Sequence, residues 1–175
     1  MNDTFKLMVA RRSVRKYSSE PVDDEKLDVI VRAGLLSPSG HSKYPCEFII
    51  VKDKSMLEKM SHCRVGAAKM LEGAGAAIVV LADREKSDVI IEDASVAMMS
   101  MHLMAASLGL ASCWIQVRAR DAEDGRPSEE FLRELLGFPT NFQCQSVLSI
   151  GVPERSSKPH DLDRLKLEKI HREKF

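Results

Sequence analysis

The sequence predicts a single α/β domain, and three features support this prediction. The 175 residues are the length of one ordinary domain, and no internal repeat, low-complexity segment or linker divides them. Stretches with helical apolar periodicity alternate with short β-branched runs that are typical of strands. The apolar fraction of 44% and the charged fraction of 30% are those of a globular protein, so residues 1–175 are expected to share one core.

Apolar residues spaced three and four apart predict six helices. In the second helix, Leu27, Ile30 and Val31 share a face behind Asp23, a candidate N-cap. The longest helix is apolar nearly all round, which is typical of a helix in a core or a subunit interface. The six are expected over Asp3–Ala10, after Asp23, after a cap at Ser55, over Val65–Glu72, over Ile90–Leu108 and after a cap at Ser128.

Short apolar and β-branched runs predict four strands. The second of these runs is so apolar that burial on both faces is expected. The four strands are expected at Glu47–Val51, Ala76–Ala82, Ala111–Val117 and Ser146–Gly151.

The segment from Pro153 to Phe175 is too polar to form a core of its own. It fits either a solvated helix or an arm laid across a partner. Apolar residues recur along it up to Phe175, which favours the arm.

Composition argues against several classes of protein. The 26 basic and 26 acidic residues cancel, whereas a nucleic-acid-binding domain normally carries a basic excess. The longest apolar run, Ala76–Ala82, is far shorter than the roughly 20 residues that span a bilayer, and the N-terminus has no signal-peptide pattern. The four cysteines form no C-x-x-C pair, so free thiols and a reducing, cytoplasmic setting are expected.

Two clusters have the residue types of a binding site. Four of the six residues in Arg11–Lys16 are basic, and guanidinium groups suit phosphate oxygens, although a solvated basic face would look the same. In Ser37–Pro45, two prolines stiffen the chain and Gly40 permits close approach of a ligand, although an ordinary loop is the simpler interpretation of this segment alone.

Other motifs are absent or incomplete. Gly73-Ala74-Gly75 is not a dinucleotide fingerprint, because Ile78 occupies the position of the third glycine and the strand follows the glycines. No phosphate loop, no Ser/His/Asp set and no metal-binding pattern can be identified, and His62-Cys63 lacks partner ligands nearby.

In their order and spacing, several segments together resemble the nitroreductase family of flavoproteins, nearly from end to end. The first resembles the family's opening R-[RH]-S-x-[RK], and the second its A-P-S-x-x-N-x-Q-P-W-x-F-x-V stretch. Later segments resemble its central helix, the strand that follows it and its closing strand. The matching segments are Arg11–Arg15, Leu36–Pro45 with Phe48–Val51, Glu92–Ala94, Ala105–Ile115 and Leu148–Pro153.

The resemblance implies a three-layer sandwich, with a central mixed sheet flanked by helices and a C-terminal arm across a homodimer. It implies one FMN in each of two interface sites. The implied reaction is a ping-pong transfer of hydride from NAD(P)H, through flavin N5, to a nitroaromatic, a quinone or a similar acceptor. No catalytic side chain is implied, because such a cofactor carries the chemistry while the protein supplies position and field.

The resemblance also implies roles for individual residues. Arg11, Arg12, Ser13 and Arg15 would hold the phosphate, the ribityl chain and the pyrimidine edge, and Lys69 would lie near the pyrimidine. A cation there stabilises the charge of reduced flavin. By the same resemblance, the flavin would be covered from the other subunit by Pro38, Ser39, Gly40 and Ser42. Beside the ring would run Trp114, Ile115 and Gln116, with Gln116 near the substrate. The phosphate would be approached by Gly151 and Lys158.

This chain departs from the family pattern at three positions. Ser42, Tyr44 and Cys46 replace the usual Asn, Gln and Trp, which changes the flavin edge and the shape of the substrate pocket. The chain is also short for the family, so an open pocket is expected. The three substitutions motivate one alternative, a module that stores or senses FMN. Two others also stay open: a flavin enzyme specialised for one metabolite, and an interaction protein without cofactor.

Overall fold

The computed structural model describes residues 1–175 and contains five α-helices and four β-strands. The helices are α1 (Asp3–Ala10), α2 (Asp24–Leu35), α3 (Lys54–Met60), α4 (Ile90–Ser107) and α5 (Ser128–Leu136). The strands are β1 (Cys46–Val51), β2 (Ala76–Asp83), β3 (Ala111–Gln116) and β4 (Phe142–Gly151).

The strands form one antiparallel sheet in the order β1-β2-β4-β3. All eight residues of β2 are buried, as expected for an apolar strand covered on both faces. The expected mixed sheet is therefore antiparallel in its four strands. Its parallel pairing is limited to one isolated bridge, between Ser13 and Ser112.

Helices cover both faces of this sheet, which confirms the three-layer arrangement. Alternate residues of β2 belong to different cores, because successive side chains of a strand point to opposite faces. Ile78 and Val80 pack with apolar residues of α2 and α4, and Ala77 and Val79 pack with those of α3 and α5.

One helix prediction was wrong. Residues Val65–Glu72 form turns and a short 3₁₀ helix at Lys69–Leu71 instead of an α-helix. The amide of Val65 donates to the carbonyl of Asp121, 3.0 Å away, and Gly66 has a φ of +64°. Both features are incompatible with a continuous helix.

Two of the predicted caps were also wrong. Asp53, not Ser55, caps α3, since its side chain accepts a hydrogen bond from the amide of Met56. Helix α5 begins at Ser128, but that hydroxyl is buried without a partner and does not cap the helix. The fourth strand begins at Phe142, four residues before the predicted start at Ser146.

The longest helix, α4, lies against the sheet through one face and leaves part of the other open. Val96 and Met99 remain exposed. Gly109, in the left-handed conformation that glycine favours, follows the helix and directs the chain into β3.

Every residue from Glu154 to Phe175 is exposed, including Leu162, Leu165, Leu167 and Ile170. This C-terminal segment thus contributes nothing to the core of the chain. No helix in the structure has the length and apolar content that crossing a membrane would need.

Candidate functional site

The basic N-terminal motif lies along the open edge of the sheet. Helix α1 ends at Ala10, and the chain continues in extended conformation from Arg11. The amide of Val14 donates to the carbonyl of Ser112, 3.0 Å away, so this segment pairs with the beginning of β3. The motif is therefore fixed to the sheet by its backbone, which leaves its side chains available.

The guanidinium groups of this motif have no acidic partners. None of the ion pairs in the structure includes Arg11, Arg12 or Arg15. Arg12 Nη1 lies 3.4 Å from the carbonyl oxygen of Lys158, which brings the C-terminal segment to the same place. Several cations without counter-charges favour the binding of an anion.

An open cavity of about 170 Å³ lies beside these cations, between α1, the end of α4 and the C-terminal segment. Its polar lining consists of guanidinium and hydroxyl groups, which are donors suited to phosphate oxygens. The polar residues lining it are Arg11, Arg12, Ser112, Ser156 and Ser157.

The side chain of Arg11 contacts a buried histidine. Its Nη1 lies 2.8 Å from Nε2 of His102 on α4, and Nδ1 of His102 lies 2.5 Å from Oγ of Ser112. Burial, with the nearby charge of Arg11, lowers the pKa of His102 to about 4. The imidazole is therefore neutral at pH 7.

Tyr17 closes the end of the motif against β4. Its hydroxyl lies 2.7 Å from Ser149 Oγ and 2.9 Å from the carbonyl oxygen of Val14. A Cβ at Gly151 would come within 2.7 Å of the Tyr17 ring, so this position can hold only glycine while the ring stays in place. Gly151 is thus near the motif, and the close approach visible in the structure is to Tyr17.

Strand β3 presents main-chain groups at its open edge. Because N–H and C=O groups alternate in direction along a strand, Trp114 and Gln116 expose theirs on the same edge as Ser112. The side chain of Ile115 is fully buried in the core, and by the same alternation its N–H and C=O groups face β4, so Ile115 presents no polar group to this edge.

Trp114 and Gln116 are joined side chain to side chain. Trp114 Nε1 donates to Oε1 of Gln116 over 3.0 Å, and Nε2 of Gln116 donates to the carbonyl of Arg118 over 3.1 Å. Both side chains are half-buried. The amide of Gln116 therefore has a fixed orientation beside the edge of β3.

The loop between α2 and β1 lies at the other end of α4. The amide of Gly40 donates to Oδ1 of Asp93 over 2.7 Å, and the hydroxyl of Ser87 donates to Oδ2 over 3.0 Å. Asp93 is only 5% exposed, so both of its oxygens are satisfied inside the protein. Nine residues of helix, about 14 Å of rise, separate Asp93 from His102.

The same loop contains unusual backbone conformations. His41, Ser42 and Tyr44 all have positive φ, a region that side chains other than glycine rarely adopt. Ser39 Oγ accepts a hydrogen bond from the amide of Tyr44 over 2.8 Å, which holds the turn. Pro38 and Ser39, with Tyr44, line a small cavity next to Asp93.

Lys69 is in the short 3₁₀ helix after α3, and its Nζ donates to Oε1 of Glu72 over 2.7 Å. This hydrogen bond raises the pKa of Lys69. The contact of Lys69 that the structure contains is therefore with Glu72.

Most of the predicted site residues thus fall into two groups within one chain. Residues 114–116 lie on β3 beside the first group, and Lys69 contacts Glu72 instead. The cationic motif, Ser112 on β3, Gly151 and the backbone of Lys158 meet at one end of the sheet edge. The loop with Pro38, Ser39, Gly40 and Ser42 lies near the start of α4. The sequence patterns gave no role to His102 or Tyr17, and they included Asp93 only within the matching segment Glu92–Ala94. The one local signal for His102 is a titratable residue in a largely apolar helix.

No group of three or more His, Cys, Asp or Glu side chains is arranged to hold a metal ion. All four cysteines are free. Burial raises the pKa of Cys46 to about 11 and that of Cys63 to about 12, so both thiols are protonated at pH 7.

Comparison with known proteins places this chain in a family. The sequence profile of the Nitroreductase family matches residues 8–63 and 57–152. A protein of Archaeoglobus fulgidus, provisionally described as an NADH dehydrogenase/NAD(P)H nitroreductase, is 38% identical over 180 residues, covering 100% of both chains. The FMN reductase [NAD(P)H] of Bacillus subtilis is 30% identical, covering 90% of this chain and 69% of its own.

The fold agrees with these sequence matches. The structure of an FMN-dependent nitroreductase from Clostridium difficile R20291 superposes with a TM-score of 0.94 at 41% identity. The superposition covers 98% of this chain and 99% of that one. The chain is therefore a member of the nitroreductase family of oxidoreductases.

Proposed function

We propose that this protein is an FMN-dependent oxidoreductase that works as a homodimer and passes hydride from NAD(P)H to a small acceptor. The observation that carries the proposal is the cationic N-terminal motif, which lacks acidic partners and lies beside the open edge of β3. An anionic, planar cofactor needs a cationic end and an edge of hydrogen-bond donors, and this arrangement supplies both.

The donor set fits the phosphate end of FMN. Arg11 and Arg12 line the cavity described above, and the backbone of Lys158 accepts from Arg12. We assign Arg11, Arg12 and the Lys158 side chain to the phosphate, and Ser13 to the ribityl chain. Because phosphate carries up to two negative charges, it would neutralise cations that the protein leaves unpaired.

Arg15 is assigned to the pyrimidine edge. It is exposed, and its only hydrogen bond is a long one of 3.5 Å to the carbonyl of Ser13. Lys69 has the same proposed role, which requires its ammonium group to break its hydrogen bond to Glu72 or to contact Glu72 and the flavin together. A cation at this edge stabilises negative charge where it develops during reduction.

The edge of β3 would lie beside the flavin ring. Exposed N–H groups of Trp114 and Gln116 can donate to heteroatoms of the ring, and the fixed amide of Gln116 can contact a substrate on its face. When bound, FMN would supply the capacity to accept hydride from NAD(P)H and to reduce a second substrate. The protein would contribute orientation and charge.

An apolar groove supports the homodimer. The groove, about 570 Å³, lies between α1, α2 and α4, and Leu36 beside it is 84% exposed. Contiguous apolar surface of this kind marks an interaction site. We propose that a second copy covers it and contributes the Pro38–Ser42 loop to the neighbouring flavin, with the C-terminal segment lying across the partner. The apolar groove residues are Leu7, Val29, Ala33, Leu36, Pro38, Leu103 and Met104.

Names of relatives support the proposed co-substrates. The Archaeoglobus and Bacillus proteins carry NAD(P)H in their descriptions, and the Clostridium protein is an FMN-dependent nitroreductase. A nitroaromatic or a quinone is the proposed acceptor. The cytoplasmic setting stays a prediction from the four free cysteines.

Titration of apoprotein with FMN, followed by flavin fluorescence, tests the site assignment. Arg12→Ala and Arg15→Ala are each expected to weaken binding by roughly tenfold, since each removes a charge-assisted contact. Arg126→Ala, which removes a surface arginine that precedes α5 and pairs with Asp124, is the control and should leave affinity unchanged. Full affinity and an unchanged flavin reduction potential in Arg15→Ala would contradict its role.

A further inference from the structure

We propose that His102 is a positioning residue, which holds the guanidinium of Arg11 toward the bound anion without cancelling its charge. The inference rests on the proposed function, because the anion is taken to be the FMN phosphate. The pairing of His102 with Arg11 itself is a property of the protein without cofactor, and it can be tested separately.

The contact joins three distant parts of the chain. Arg11 follows the last residue of α1, His102 lies within α4 and Ser112 is the second residue of β3. Nη1 of Arg11 is 2.8 Å from Nε2 of His102, and Nδ1 of His102 is 2.5 Å from Oγ of Ser112. Only 3% of His102 is exposed, so solvent does not compete for either nitrogen.

Hydrogen-bond chemistry fixes the tautomer of this histidine. A guanidinium group has only donors and stays protonated, so Nε2 of His102 must be the acceptor and carries no proton. Nδ1 then carries the proton and donates to Ser112 Oγ. The order of donation is Arg11 to His102 to Ser112.

A neutral hydrogen-bond acceptor affects the charge of Arg11 differently from a carboxylate. An Asp or Glu at position 102 would orient Arg11 equally well, but it would neutralise the guanidinium before any anion arrived. Neutral imidazole uses one of five N–H donors and leaves the full positive charge facing the cavity. Preorganising the cation in this way lowers the entropy lost when the anion binds.

A double-mutant cycle on FMN affinity separates this role from simple packing. His102→Leu fills similar space and is expected to weaken FMN binding by about tenfold, as a hydrogen bond to a charged group would predict. In an Arg11→Ala background, the same change should alter affinity by less than about twofold, because its effect passes through Arg11. An equal loss in both backgrounds would overturn the proposal.

Two further variants define the effect. His102→Gln places an amide oxygen that can accept from Arg11, and it should restore most of the affinity lost in His102→Leu. Met101→Leu changes the adjacent buried residue of α4, which packs in the apolar core with residues of α2 and the sheet, and should leave affinity unchanged. Failure of His102→Gln to exceed His102→Leu would count against the proposal.

Nitrogen NMR of the wild-type apoprotein provides a test that needs neither a variant nor FMN. With ¹⁵N-labelled histidine, His102 should show a protonated Nδ1 and an unprotonated Nε2 at pH 7. A proton on Nε2 would overturn the proposal even if FMN binds. If the expected tautomer is present but the protein rejects FMN, the proposed function fails while the Arg11–His102 pairing stands.

Discussion

Oδ1 of Asp93 accepts a hydrogen bond of 2.7 Å from the amide of Gly40, and this contact ties the loop between α2 and β1 to the start of α4. The second oxygen of the same carboxylate accepts from Ser87. A single buried side chain thus holds the segment that we propose to cover the neighbouring flavin.

Replacing Asp93 distinguishes its hydrogen bonds from its charge. Asp93→Ala should lower the free energy of unfolding by roughly 2–3 kcal/mol, because it removes two bonds and leaves the Gly40 amide unsatisfied. In Asp93→Asn, the amide oxygen can accept from Gly40 and the NH₂ group can donate to Ser87, so the loss should be below about 1 kcal/mol. Urea unfolding measures both. Equal losses would show that the charge, not the pair of bonds, is what matters.

Gly40 lies so close to Val89 that a side chain does not fit. A Cβ at position 40 would be 2.5 Å from Cγ2 of Val89. Gly40→Ala should therefore cost about 1–3 kcal/mol of stability through overpacking. Adding Val89→Ala should recover most of that loss, whereas Gly73→Ala, which has open space around it, should be nearly neutral. Thermal or urea unfolding of wild type, the two single glycine variants and the double variant measures these losses. If stability does not recover in the double variant, the clash with Val89 is not the cause of the loss.

His102 makes stability depend on pH in a defined window. Its pKa is lowered to about 4 in the folded chain, against 6.5 in an unfolded one, so the unfolded state binds more protons between these values. Stability from the neutral imidazole is complete above pH 6.5 and is lost as the pH falls toward 4. Each pKa unit corresponds to about 1.4 kcal/mol, so the loss between pH 7 and 4.5 is roughly 2–3 kcal/mol.

Carboxylates also titrate in this range, so the measurement is a comparison. Urea unfolding of wild type and His102→Leu at pH 7 and pH 4.5 isolates the histidine. The decline should be smaller in His102→Leu by about the amount given above. Arg11 is the charged group that acts on His102. An identical decline in both proteins would mean that the imidazole is not held neutral by the fold.

The proposed dimer can be broken at Leu36. This side chain is 84% exposed in the single chain, so Leu36→Glu should not affect folding of the protomer. If a second copy covers the groove, a buried carboxylate without a partner there should convert the dimer to monomer. Thr140→Glu adds the same charge on an exposed residue after α5 and should leave the dimer intact. Sedimentation velocity separates the two results, and a dimer that survives Leu36→Glu would place the interface elsewhere.

Elements with strong local signals were predicted well from the sequence. Helix α4 and strand β2 are long or uniformly apolar, and their observed bounds lie within one residue of those predicted. The helix predicted at Val65–Glu72 does not form, and one reason is a contact that the sequence does not reveal. This contact is the hydrogen bond from the amide of Val65 to the carbonyl of Asp121, 56 positions along the chain. Local propensity gives way where such long-range bonds satisfy the backbone.

The candidate site divides in the same way. The Arg11–Arg15 motif and the loop with Gly40 could be identified because they are local in sequence. Their supporting residues could not, because His102 is 91 positions from Arg11 and Asp93 is 53 positions from Gly40. Such partners become visible only when the sheet and α4 bring them together.

The most direct test of the central claim is the absorbance spectrum of the purified protein under anaerobic conditions, before and after addition of NADPH or NADH. We expect the yellow bands of bound FMN, which bleach within seconds of adding at least one of the two nucleotides. A colourless protein that does not acquire these bands after incubation with FMN would contradict the account, and bands that persist with both nucleotides would contradict the proposed reaction.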